Sequence, residues 1–96
     1  MLTGKQKGYL RSLANVMDPI VQIGKGGISP AVLAQIDETL EARELIKVRV
    51  LQNSSEEPKI AADQIAKELS AELVQVLGRN MLLYRQAQEK PIIELP

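Results

Sequence analysis

The chain has no cysteine, histidine, tryptophan or phenylalanine, and its only aromatic side chains are Tyr9 and Tyr84. Without thiolate or imidazole it cannot build the usual zinc site, a cysteine nucleophile or a Ser–His dyad. No disulfide can form, so a reducing, cytoplasmic setting is the expectation. Two tyrosines do not make an aromatic platform on which several bases could stack. No apolar run approaches the roughly 20 residues needed to span a bilayer, and the N-terminus carries no apolar signal-peptide stretch. Neither a cofactor, nor a metal, nor a small-molecule substrate is expected. What is present is 96 residues, 45% hydrophobic and 25% charged, enough for one aliphatic core and not for two.

Charge of one sign is also missing in total: twelve basic residues meet twelve acidic ones. A polycation that coats nucleic acid by bulk attraction is therefore excluded. The distribution is uneven, however. Residues 1–36 hold Lys5, Lys7, Arg11 and Lys25 against Asp18 alone, whereas residues 37–72 hold five cations against nine carboxylates. A neutral chain with a basic front and an acidic back can still hold a polyanion on one side.

The periodicities predict seven elements. Thr3 with Gln6 forms a capping box, and Leu10, Leu13, Ala14 and Met17 make a buried helical stripe ending at Asp18-Pro19. Ile20–Ile23 is a short strand. Ser29-Pro30 caps a second helix with Val32, Leu33, Ile36 and Leu40 inward and Asp37, Glu38, Glu41 and Glu44 outward. Leu45–Leu51 alternates, with Ile46, Val48 and Val50 on one face and Lys47 and Arg49 on the other. A third helix runs from near Pro58 to about Ser70 through Ala61, Ala62, Ile65 and Leu69. Leu73–Leu77 and Met81–Arg85 are strands joined by the turn Gly78-Arg79-Asn80. The fold class is α/β, a single domain of order α-β-α-β-α-β-β with a four-stranded mixed sheet. The domain covers residues 1–86, and residues 87–96 are an extended tail whose Ile92, Ile93 and Leu95 can dock on the body.

The strongest local feature is Gly24-Lys25-Gly26-Gly27, between a strand and a capped helix. Glycines allow close backbone approach, and a helix start presents free N–H groups and the positive end of its dipole. With Lys25 at the tip, the loop suits a phosphate. It lacks the spacing and hydroxyl of an NTPase phosphate loop and the pattern of a dinucleotide fold, so a phosphodiester backbone fits better than a nucleotide. Lys5, Lys7 and Arg11 on the first helix, Lys47 and Arg49 on the second strand, Arg79 in the hairpin and Arg85 on the last strand are candidates to extend this contact. A solvated surface charge is the plain alternative for each of them singly, and a tight strand-to-helix turn is the alternative for the loop. Gly27→Glu is expected to repel the ligand without unfolding the chain, unless Gly27 needs a positive φ.

In order along the chain, Leu2-Thr3-Gly4-Lys5-Gln6, Leu10-Arg11-Ser12-Leu13-Ala14, Ile23-Gly24-Lys25-Gly26-Gly27, Glu44-Leu45-Ile46-Lys47-Val48, Gln75-Val76-Leu77-Gly78-Arg79 and Leu83-Tyr84-Arg85 resemble the YhbY family. That family is the bacterial stand-alone form of the CRM domain. The resemblance implies a fold similar to the C-terminal domain of the bacterial initiation factor that guards the small subunit. It also implies RNA binding and association with ribosomal RNA in precursor large ribosomal subunits, with Gly24, Lys25, Gly26 and Gly27 as the RNA contact. Gly26 stands where many relatives have a polar residue, so no side-chain contact is assigned there. The expectation is a monomeric, non-enzymatic RNA-binding protein that recognises shape and backbone. The rival is a protein-interaction module that uses a sheet edge, the tail or the acidic helices.

Overall fold

The structure, a computed structural model, describes residues 1–96. The elements run α1 (Gly4–Ala14), β1 (Val21–Ile23), α2 (Pro30–Arg43), β2 (Leu45–Val50), α3 (Pro58–Glu68), β3 (Glu72–Leu77) and β4 (Asn80–Tyr84). The order α-β-α-β-α-β-β is the one expected. The predicted start signals operate as local chemistry. Thr3 accepts from the Gln6 amide while the Gln6 side chain accepts from the Thr3 amide, and Ser29 Oγ accepts from the Val32 amide ahead of α2. The helix α1 ends sooner than the Asp18-Pro19 signal suggests, because Asn15 and Val16 already turn out of it.

Sheet order is β1-β2-β4-β3. The strands β1 and β2 pair in parallel across the α2 crossover, and β4 is antiparallel to both β2 and β3. The two helical crossovers yield only one parallel neighbour pair, β1 with β2, since β4 inserts between β2 and β3. The closing hairpin gives β4 a partner at once, and its buried Met81 and Leu83 complete the middle of the core.

The alternation in β2 splits the core in two, as the period of two requires. Ile46, Val48 and Val50 face α2 and α3, where they pack with Ile36, Leu40, Ala61, Ala62 and Ile65. On the opposite face, Leu10 and Ala14 of α1 cover Leu45, Val74, Leu82 and Tyr84, joined by Ile93 and Leu95 of the tail. At roughly 25 cal/mol per Å² of apolar area buried, each fully buried Leu or Ile contributes about 2–3 kcal/mol of hydrophobic stabilisation.

The tail is strapped down by one residue. Glu44, fully buried, caps α2 with φ 67 and ψ −43. Its carboxylate accepts from the amides of Ala87 at 2.7 Å, Ile92 at 2.8 Å and Ile93 at 2.6 Å. Placed outward with Asp37, Glu38 and Glu41 by the helical period, Glu44 is instead inward, because the chain has left helical geometry there. Burial pushes its pKa up, but the three amide hydrogen bonds outweigh this and hold it below the ordinary carboxylate value. Burial, and then the Glu44 charge, raise the pKa of Tyr84.

Candidate nucleic-acid interface

The loop Gly24–Gly27 leaves the carboxyl end of β1 and enters α2. That is the end of a parallel strand pair where open α/β sheets usually accept ligands. Within the loop the Gly27 amide donates to the Gly24 carbonyl at 3.0 Å, and the Ser29 amide to the Gly27 carbonyl at 3.1 Å. The amides of Lys25, Gly26, Ile28 and Ala31 have no hydrogen-bond partner within the protein. Lys25 and Gly26 are exposed and form the tip. Gly27 is buried with φ +65, so it shapes the turn and does not itself present a surface. Only this glycine of the loop's three needs the left-handed region; a Cβ on Gly26 would meet nothing within 4 Å.

A second loop forms the rim, and nothing in the sequence pattern pointed to it. The Leu51 amide donates to the Ile23 carbonyl at 2.9 Å, tying the β2–α3 connection to the root of the glycine loop. Asn53 Oδ1 lies 3.9 Å from where a Gly24 Cβ would stand, and Glu56 Oε2 only 2.7 Å from the corresponding position at Gly27. The two stretches are 29 residues apart in sequence, Gly24 to Asn53 and Gly27 to Glu56, so only the parallel pairing of β1 with β2 reveals that they meet.

The basic candidates separate into three groups. Arg49 is exposed on the sheet face that carries α1, in register with Gln22 on β1 and Asn80 on β4, one residue before the root of the glycine loop. Beside it a cleft of about 70 Å³ between the end of α1 and the sheet is lined by Arg11, Asn15, Lys47, Gln75 and Asn80. Lys47 Nζ donates to the Met17 carbonyl at 2.9 Å, leaving two of its three protons free. The structure thus brings Arg11, Lys47 and Arg49 to one end of the sheet, the end from which the Lys25 loop departs.

Lys7 continues from Arg11 one turn nearer the start of α1, about 6 Å away along the axis at 1.5 Å per residue, while Lys5 lies toward the other flank of the helix. Arg79 is at the same end as Arg49, but its guanidinium donates to the carbonyls of Val50 at 2.7 Å and Leu51 at 2.9 Å. Its charge counts there, while most of its hydrogen bonds hold the hairpin to β2.

Arg85 is set apart from all of these. It forms the protein's one ion pair, with Asp37 at 2.7 Å, and donates to the carbonyls of Leu69 and Asp37. It lies among Asp37, Glu41 and Glu89 on the acidic side. The spacing of β4 could not show this, because Asp37 of α2 and Leu69 at the end of α3 are brought to Arg85 only by tertiary packing. The expected charge asymmetry is also interrupted at the base of the loop, where Glu56 brings a carboxylate against Gly27. No group of His, Cys, Asp or Glu residues is arranged to hold a metal ion, and no helix is long and apolar enough to cross a membrane.

Comparison with known proteins identifies the family and the fold. The CRS1 / YhbY (CRM) domain profile matches residues 2–85. The chain is 50% identical to the Probable RNA-binding protein YqeI of Bacillus subtilis over the full length of both. It is 38% identical to a protein of Haemophilus influenzae named RNA-binding protein, over 99% of this chain and 95% of the relative. The solution structure of the hypothetical protein SAV1595 from Staphylococcus aureus superposes with a TM-score of 0.82 at 56% identity, covering 100% of both chains.

Proposed function

The chain belongs to the CRS1 / YhbY (CRM) domain family, and from that premise we propose that it binds RNA through the glycine loop and the basic face of α1 and β2. Its target in this reading is ribosomal RNA of precursor large subunits, where it acts as an assembly factor by recognition and not by catalysis. The observation that carries the RNA reading is the set of unpaired amides at Lys25, Gly26, Ile28 and Ala31, beside an exposed lysine. Such a nest, at a helix N-terminus, suits one or two phosphates. Arg11, Lys47 and Arg49 extend the contact across the sheet, and Lys7 and Lys5 along the helix. The names of the relatives support an RNA ligand, and the ribosomal target rests on the family resemblance alone. With two tyrosines, one of them buried, shape and backbone placement supply the specificity.

The test is a crosslinking map of RNA contacts in cell extract, beside titrations of wild type and Lys25→Ala with precursor ribosomal RNA at two salt concentrations. Lys25→Ala should weaken binding by about 1 kcal/mol and flatten the salt dependence by somewhat under one unit. Crosslinks confined to mature messenger or transfer RNA would remove the ribosomal target. Wild-type affinity in the variant would make the loop only a turn.

A further inference from the structure

We infer that Glu56 is a resident competitor for the phosphate that the glycine loop receives, so that the loop favours an RNA backbone over an isolated phosphate ion. The inference rests on the reading of that loop as a phosphate site and concerns how the site is regulated. Glu56 Oε2 lies 2.7 Å from where a Gly27 Cβ would stand, which puts the carboxylate against the backbone at the entry to α2. It accepts no hydrogen bond there, and the protein's one ion pair is elsewhere. Its backbone is fixed: the Glu56 amide donates to Ser54 Oγ at 3.2 Å, and the Ser54 amide to the Leu51 carbonyl at 3.0 Å. Leu51 is in turn bonded to Ile23 at the root of the glycine loop. The backbone of Glu56 is therefore tied to the root of the glycine loop, and its carboxylate rests against Gly27, next in the chain to the free amides of Gly26 and Ile28.

A carboxylate at a helix start is favourable while the site is empty, and repels a phosphate that arrives there. A single phosphate ion meets that repulsion with only Lys25 and the loop amides to offset it. An RNA strand that also reaches Arg11, Lys47 and Arg49 gains enough from the second and third contacts to displace the Glu56 side chain. The carboxylate thus raises the threshold for weak anions and leaves extended polyanions bound.

The experiment measures binding of a fluorescein-labelled, mixed-sequence RNA hairpin by anisotropy at 50 and 300 mM KCl for wild type, Glu56→Gln, Lys25→Ala and Glu38→Gln. Glu38 is exposed on α2, eight residues from the helix start, and its replacement makes the same change in net charge away from the loop. Glu56→Gln should bind about three- to tenfold tighter at the lower salt, the gain shrinking at the higher salt as screening takes over. Glu38→Gln should change affinity less than about twofold. Unchanged or weaker binding by Glu56→Gln, or an equal gain from Glu38→Gln, overturns the role of Glu56. Weakened Lys25→Ala with a silent Glu56→Gln removes only this inference, whereas wild-type affinity in Lys25→Ala removes the loop reading beneath it.

Discussion

Gly26 and Gly27 adjoin in sequence, yet a side chain meets opposite conditions at the two positions. Gly26 has open space where a Cβ would go and no left-handed φ. Gly26→Glu should therefore fold normally, with a melting temperature close to wild type, while its charge at the loop tip lowers RNA affinity by about fivefold or more. At Gly27 the φ of +65 alone costs any other residue about 1–2 kcal/mol. A Cβ there would also collide with Glu56 Oε2 unless that side chain moved. Gly27→Ala should lower thermal stability; the positive φ is the condition under which Gly27→Glu was expected to carry a conformational cost, so Gly26→Glu is the cleaner probe. A melting curve beside an RNA titration separates the two; a destabilised Gly26→Glu would mean that the tip is not free. The loop and its lysine were legible from residue types because strand, glycines and Ser-Pro cap are contiguous. Glu56 was not legible, since its proximity is created by strand pairing across 29 residues.

Among the elements, the helix starts were readable because a cap is a contact between residues three apart, and the helix ends were less so. The helix α3 shows why. Its last turn closes with Ala71 donating to the Ala66 carbonyl at 2.9 Å and Ser70 to the Lys67 carbonyl at 3.4 Å, the paired bonds of a Schellman motif. The residue in the left-handed position is Ser70, φ 54, where glycine is the usual signal. Ser70→Gly should stabilise the protein by about 1 kcal/mol, measured by denaturant unfolding, because it removes the penalty on a Cβ in that conformation. The end of α2 is similar, with Glu44 at φ 67, but there the side chain has a second task in holding the tail. Glu44→Gln retains one acceptor oxygen and loses the other, and should cost about 1–3 kcal/mol at neutral pH. Because the native pKa is depressed, the stabilisation is complete above the ordinary carboxylate pKa and is lost as pH falls through the native value. The gap between wild type and Glu44→Gln should consequently narrow on acidification; a gap independent of pH would mean that the charge on Glu44 contributes nothing.

Over the whole molecule, zero net charge and a basic face are compatible because the sheet and its helices sort most of the charges by side. The cations Lys25, Arg11, Lys47, Arg49 and Arg79 share one end of the sheet, with Lys7 and Lys5 along α1, while Asp37 and Glu41 gather with Arg85 on the other side. Composition by segment showed that two signs existed, but not that Arg85 belongs with the acids, since that depends on tertiary packing that brings Asp37 and Leu69 to it. Counterion release turns this geometry into a measurement. If four to six of the cations on the basic face each neutralise one phosphate, log affinity should fall with log salt with a slope of about −3 to −5. Arg49→Ala should make that slope shallower by somewhat under one unit. Arg85→Ala removes an equal charge but loses the Asp37 pair and two carbonyl contacts, so it should lower stability by about 1–2 kcal/mol and leave the slope as it was. A slope near zero in wild type would favour an apolar protein partner over RNA. Equal slope changes in Arg49→Ala and Arg85→Ala would show that the phosphates run along both sides of the sheet, and that a single basic face is not the unit of recognition.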